Sequence, residues 1–296
     1  MTTVPGMHAD PRANRSAVLL AVGSNTLLML AKFAVWLVTG SVAVLSDAAN
    51  SAGDLVASAI AFAGVRAAAR PADEDHPYGH EKTENLAAAV EGVLVLVAGL
   101  AVAVEAMRQL LSGDDSLVRL DLAIAVMAVS AVVNLLVSTR LRRVARRTGS
   151  PAVDGEAAHL ASDVWTSAGT VVGLVLVALT GWDPLDALVG IAIAAYVVVV
   201  GARLLWRAVQ VLLDGSLPPD ELAAIEAVLA GFTQSDGVSF HALRGRRAGS
   251  KRHVDLHMVV PPETTVRNGH VMSGRVKSAV QRTVPNTDVL IHLEDH

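Results

Sequence analysis

Six stretches of this chain, Ala17–Thr39, Val42–Val65, Leu86–Leu111, Leu120–Ser138, Leu160–Thr180 and Leu185–Leu213, are apolar over lengths that soluble cores seldom need. A helix of about 20 such residues crosses the ~30 Å hydrocarbon layer of a bilayer. In lipid, backbone N–H and C=O groups must be satisfied within the segment, which leaves helices as the structure these stretches can form. Composition agrees: 18% of residues are charged, against ~25% in ordinary soluble domains. The expected class is a membrane all-α domain of six spans, and the even number puts both of its ends on one side.

Basic residues indicate which side. Arg12 and Arg15 precede the first span, Arg66, Arg70 and Lys82 flank the second connection, and Arg140, Arg142, Arg143, Arg146 and Arg147 follow the fourth span. The alternate connections differ: Gly40–Ser41 is uncharged, Ser112–Arg119 is mainly acidic and Gly181–Pro184 carries only Asp183. Lysine and arginine accumulate on the cytoplasmic side, so both termini are expected in the cytoplasm. The first sixteen residues are polar and the first apolar run is too long for a leader, so no cleavable signal peptide is expected. Trp36, Trp182 and Trp206 near span ends suit interfacial anchoring. Gly92 and Gly99 in the third span, and Gly169 and Gly173 in the fifth, are compatible with close helix approach or with ordinary glycine background. A net charge of −4 gives no footprint for nucleic acid, and the absence of cysteine excludes disulfides and thiolate metal ligands.

After Asp214 the composition changes. Pro218-Pro219-Asp220-Glu221 reads as a helix start, followed by an apolar face of Leu222, Ile225, Val228 and Leu229. Alternating segments at Val238–Leu243 and His253–Val260, a helix near Val266–Thr283 and a strand at Val289–Leu293 complete an αββαβ order. Arg244, Arg246 and Arg247 look like a solvated turn. Residues 1–214 are therefore expected to form a transmembrane domain, and 215–296 a small α+β domain of ferredoxin-like or metallochaperone-like type.

Two polar pairs interrupt the spans: Asn50/Asp54 in the second and His159/Asp163 in the fifth. Residues four apart share a helix face, and an ionisable group at mid-membrane costs roughly 2.5–3.5 kcal/mol on insertion scales. Together the pairs offer an amide oxygen, an imidazole and two carboxylates, a donor set for a divalent metal. Asp47, one turn before Asn50, could add a carboxylate. Metal binding must displace a proton from imidazole, which suggests competition between metal and protons. A structural role, with these residues capping helix ends or bonding one another, is the competing reading. Glu91, an acid inside the third span, has no partner that the sequence names.

On these pairs, and on the loop Arg70-Pro71-Ala72-Asp73-Glu74-Asp75-His76-Pro77-Tyr78-Gly79-His80-Glu81-Lys82, the chain resembles the cation diffusion facilitator family, its bacterial metal/proton antiporters in particular. The resemblance runs from the first span to the C-terminal histidines. It implies a homodimer in the bacterial inner membrane that exports a divalent transition metal, zinc first, with protons as counter-substrate. It implies a second metal site at Asp73, His76 and His80, and an interlocking salt bridge of Lys82 with Asp214. In the tail it implies a metal-sensing dimerisation domain with ligands His241, His257, His292 and Glu294, and His270 as an extra one. His253 and Asp255 share a strand face with His257 and could substitute or face water. Glu294 stands where aspartate is common. Asn50 stands where bacterial antiporters carry Asp and many zinc-selective eukaryotic members His. An amide cannot carry a proton, so fewer protons are expected to exchange per metal. Iron, cobalt, nickel and manganese remain alternatives. A non-transporting metal sensor of the same fold is the alternative function, an ion channel is another, and a metallohydrolase would need an H-E-x-x-H-type motif that is not present.

Overall fold

The structure, a computed structural model, describes residues 11–39, 42–112, 120–180 and 184–295. Side chains at some helical positions, Asp47 and Asn50 included, also lie outside the described residues. The chain divides into two compact units: residues 11–145 and 151–209, and residues 210–296 with 146–150.

The first unit is helical: α1 (Pro11–Thr39), α2 (Val42–Ala68), α3 (Lys82–Ser112), α4 (Leu120–Thr148), α5 (Pro151–Thr180) and α6 (Pro184–Leu212). Each helix has 27 to 31 residues, so each is roughly 40–46 Å long at 1.5 Å per residue. Among the described residues, three segments are both long and apolar enough to cross a membrane: Pro11–Val35, Lys82–Arg108 and Leu188–Leu212. The helices outrun the apolar stretches where flanking residues favour helix. The Arg140–Arg147 cluster, expected in a connection, forms the last turns of α4, where positive charge suits the helix dipole. Proline at the first position opens both α5 and α6.

This unit buries an apolar core that includes Val18, Leu141 and Leu160, but its exterior is apolar too and polar groups join the interior. Leu27, Leu30, Leu37 and Leu136 are exposed, whereas Asn25, Lys32, Ser58, Glu91, Glu156 and His159 are buried. Apolar exteriors suit lipid, and polar groups turned inward mark a functional interior. Where α3 meets α6 the glycines are required for close approach. A Cβ on Gly92 would lie 2.7 Å from the Leu205 amide nitrogen, and one on Gly201 would lie 2.7 Å from that of Leu96. Gly169 and Gly173 lie among positions whose surroundings are outside the described residues.

In the second unit the order is α7 (Pro219–Asp236), β1 (Ser239–Ala248), β2 (Lys251–Val260), α8 (Val266–Thr283) and β3 (Thr287–Asp295). β2 is the central strand, antiparallel to β1 and parallel to β3. Its burial alternates: Arg252, Val254, Leu256, Met258 and Val260 face inward, and Lys251, His253, Asp255, His257 and Val259 face outward. Of the inward residues, Val254, Leu256, Met258 and Val260 join Ile225 and Leu229 of α7, Val276 and Val280 of α8 and Val289 of β3 in one core. Thr265 caps α8 by accepting from the Asn268 amide at 3.3 Å.

One expectation is corrected. Arg244, Arg246 and Arg247 lie in β1, not in a turn; the turn is Gly249–Ser250, with Gly249 at φ 57°. The strand continues through three arginines because acids meet them: Arg246 donates to Asp214 at 3.0 Å, Arg247 to Glu221, and Arg244 lies 3.8 Å from Asp255. Glu221 also receives two bonds from the buried Arg252, at 2.9 and 2.7 Å. Arg252 further donates to the Pro285 carbonyl at 3.1 Å.

Candidate metal centres

Three clusters of metal-competent side chains lie among the described residues, and each is assembled from positions that local structure places deliberately. The first is intramembrane. Asp54 points from α2 and His159 and Asp163 from one face of α5, and one ligand atom from each lies within 4.8 Å of the others. Asp54 Oδ1 is 3.5 Å from His159 Nε2. His159 is 6% exposed, and its two ring nitrogens have no hydrogen-bond partner among the described residues. A buried imidazole with open nitrogens between two carboxylates can accept a cation and holds little else comfortably. The side chains of Asn50 and Asp47, the other two expected members, lie outside the described residues.

A polar scaffold around this cluster escaped the sequence reading. Asn25 of α1 donates to Ser58 Oγ at 2.8 Å and to the Asp54 carbonyl at 3.5 Å. Lys32 of α1 donates to Ser51 Oγ at 2.8 Å, and Ser58 donates to Glu156 Oε1. Asn25 and Lys32 are seven apart, two helical turns, so both lie on one face of an apolar span. That spacing was the available signal.

The second cluster is the loop between α2 and α3. His76 Nδ1 lies 3.4 Å from Asp73 Oδ1 and His80 Nε2 3.3 Å from Asp73 Oδ2. The imidazole centroids are 4.4 Å apart. The His76 amide donates to Asp73 Oδ1 at 2.7 Å, closing the loop on its carboxylate. That bond, helped by the His80 and His76 charges, holds Asp73 below the usual carboxylate range. All three expected residues of this cluster are brought together.

The third cluster lies on the outward face of the tail sheet. His241 pairs with His257 across β1 and β2, and His257 with His292 across β2 and β3. The three imidazoles therefore form a row across the strands, with centroid separations of 5.0 and 4.9 Å. Glu294, two residues past His292, lies 2.8 Å from His241 Nε2, 2.6 Å from His257 Nδ1 and 3.7 Å from His292 Nε2. The two shorter bonds hold Glu294 below the usual carboxylate range. A bulge between His241 and Arg244, with Ala242 at φ 51°, breaks the regular pairing of β1 just after the row. His241, His257 and Glu294 share a 4.8 Å ligand group; His270 lies on α8, exposed and outside that group. Lys82 opens α3, and Asp214 belongs to the tail unit, where it accepts from Arg246.

Residues 18–213 match the cation efflux transmembrane domain, and residues 217–296 match the cytoplasmic domain of cation efflux proteins. An uncharacterized transporter of Synechocystis is 35% identical over 286 residues, covering 96% of this chain and 91% of that protein. The cation-efflux pump FieF of Serratia proteamaculans is 34% identical over 281 residues, covering 95% of this chain and 92% of the pump. Among solved structures, the zinc form of CzrB covers 27% of this chain and 91% of its own at 30% identity, with a TM-score of 0.26. A score that low carries no structural argument.

Proposed function

The chain belongs to the cation diffusion facilitator family of cation efflux transporters, and from that premise we propose that it exports a divalent transition metal, zinc first, in exchange for protons. The observation that carries the proposal is the trio of Asp54, the buried His159 and Asp163, drawn from two helices into ligand range. With Asn50 they bind the cargo, and Asp47 is available as a further carboxylate. Two carboxylates offset the two charges of the ion, and the imidazole favours zinc, iron, cobalt or nickel over manganese. Every protonatable ligand must lose its proton for the metal to bind. Asp54, His159 and Asp163 therefore couple metal release to proton uptake, while Asn50 contributes an oxygen and no proton.

Residues 1–214 form the transport domain, with six spans and both termini in the cytoplasm; the arginine distribution and the lengths of α1 to α6 support this topology. Residues 215–296 form a cytoplasmic domain that senses metal through His241, His257, His292 and Glu294, with His270 as a further ligand. The open histidine face of the sheet supports a homodimer, as does the match to the family's cytoplasmic domain. Asp73, His76 and His80 form a boundary site, and Lys82 with Asp214 the interlock that the family resemblance implies. The bacterial relatives support the inner membrane as the location.

Uptake into inside-out proteoliposomes tests the proposal, with Zn²⁺, Mn²⁺, Fe²⁺, Co²⁺ and Ni²⁺ offered with and without a pH gradient. The expected result is gradient-driven uptake that Asp163→Ala abolishes. Absence of flux for all five ions would overturn it in favour of a non-transporting metal sensor.

A further inference from the structure

Apart from the three clusters, two acids of the helical unit are completely buried among the described residues: Glu91 on α3 and Glu156 on α5. The pairings along the bundle give them a layer of their own. Asn25 meets Ser58 and Lys32 meets Ser51, so α1 and α2 run antiparallel, and Ser58 lies one turn past Asp54. Ser58 bonds Glu156 while Asp54 faces His159, which sets Glu156 one turn nearer the start of α5 than His159. Glu91 lies at the level of Gly155, where a Cβ would come within 3.2 Å of the Glu91 Cβ and 3.3 Å of its Cγ. The glycine gives the Glu91 stem room against the α5 backbone, beside Glu156.

These carboxyl groups have too few partners for their burial. Both oxygens of Glu91 and Oε2 of Glu156 have no hydrogen-bond partner among the described residues. The two acids are within electrostatic reach of each other and of His159. Lys32 bonds Ser51, two turns along α2 from Ser58. An unpaired carboxylate in such surroundings is strongly disfavoured, so each acid takes up either a proton or a share of a bound cation, and a cation held between the two acids displaces the protons. Two carboxylates and a hydroxyl are an all-oxygen donor set, suited to a hard divalent ion.

We propose that Glu91, Glu156 and Ser58 form a second divalent-cation site, a staging position one helical turn from the transport ligands toward the N-termini of α3 and α5. The proposal rests on the transport reading, which turns those N-termini to the cytoplasm. An arriving ion meets an oxygen-only layer before the layer that holds the imidazole. It therefore exchanges water for carboxylate first and reaches the histidine only afterwards.

Mn²⁺ binding to the full-length protein, read by loss of the free-ion electron paramagnetic resonance signal, tests this directly. The background variant carries Asp73→Ala, His76→Ala, His80→Ala, His241→Ala, His257→Ala, His159→Ala and Asp163→Ala, which remove the other clusters. It is expected to retain one Mn²⁺ per protomer, lost when Glu91→Gln and Glu156→Gln are added. A background that retains none, or a double variant that still holds the ion, overturns the proposal. Because a variant so heavily altered can fail to fold, Glu91→Gln alone in the otherwise natural chain provides a second reading. It should raise KM for cytoplasmic-side metal about tenfold while kcat stays within about twofold, the pattern of lost ground-state binding. Unchanged KM there, with flux still abolished by Asp163→Ala, removes the staging site and leaves the transport reading standing. If the natural chain shows no flux, the transport reading falls and the Mn²⁺ count still decides the site.

Discussion

His159 shows how much a single residue contributes here. It places an imidazole, with neither ring nitrogen hydrogen-bonded among the described residues, between Asp54 and Asp163 in the polar interior of a bundle whose exterior is apolar. Its tail counterpart, His257, is the middle of a three-histidine row and bonds Glu294 at 2.6 Å. Replacing His257 with alanine removes the central member of that row. We expect calorimetry to show metal affinity of the tail lowered by at least tenfold, with proton-driven flux through the helical unit retained. Unaltered tail affinity would refute the assignment. At this scale the sequence was most legible where a polar residue interrupts an apolar run, as at Asp54, His159 and Asp163. Lys32 and Asn25 interrupt their run equally, but nothing near them in sequence reveals that they meet Ser51 and Ser58.

At the scale of elements, the tail depends on a buried ion pair and the helical unit on close backbone approach. Glu221 and Arg252, both 2% exposed, join the start of α7 to β2 through two hydrogen bonds. Arg247 still meets Glu221 when Arg252 is removed, so Arg252→Ala should destabilise the tail by less than the about 3–5 kcal/mol lost when a buried charge is left with no partner. Chemical denaturation of the natural and variant proteins measures this. The pair also makes tail stability depend on pH. Burial by itself would raise Glu221, but the Arg252 hydrogen bonds and the Arg247 charge outweigh it and hold Glu221 below the usual carboxylate range. A folded-state pKa below the unfolded value stabilises the fold above the unfolded carboxylate pKa, about 4.3. That contribution is lost as pH falls through the folded value. Acid titration should therefore unfold the natural tail more steeply than Glu221→Gln; equal acid sensitivity would count against the pair. In the helical unit, Gly92→Leu places a side chain where the Leu205 backbone lies. The expected result is a lower melting temperature with loss of flux, read by thermal unfolding in detergent and by uptake. These elements were partly legible in advance. The helix start at Pro219 follows local rules and was expected, whereas α5 begins at Pro151, nine residues before its apolar stretch, and the length of β1 depended on acids that lie elsewhere in the chain to meet Arg246 and Arg247.

For the whole molecule the central question is orientation. The chain contains no cysteine, so single cysteines report sidedness without background. A cysteine replacing Arg143, in the basic end of α4, should react with an impermeant maleimide only from the cytoplasmic face. One replacing Ser116, in the acidic connection before α4, should react only from the opposite face. The reverse pattern would overturn the proposed topology and with it the direction of transport. Hydropathy over each span, the four-residue spacing of the polar pairs and the change of composition after Asp214 are local properties, and each could be read from sequence alone. They determined an apolar helical domain with ionisable groups inside it, followed by a small α+β domain. The grouping of Asp54 with His159 and Asp163, and of His241 with His257 and His292, was already expected from the sequence and its family resemblance. Only the tertiary structure decided which other distant residues meet: Lys32 with Ser51, Ser58 with Glu156, Glu91 with Gly155, and Glu221 with Arg252. Local periodicity dictates the face on which a side chain stands. The register between helices, and the pairing between strands, depends on packing across the whole unit, so it leaves no signature in any one stretch of sequence.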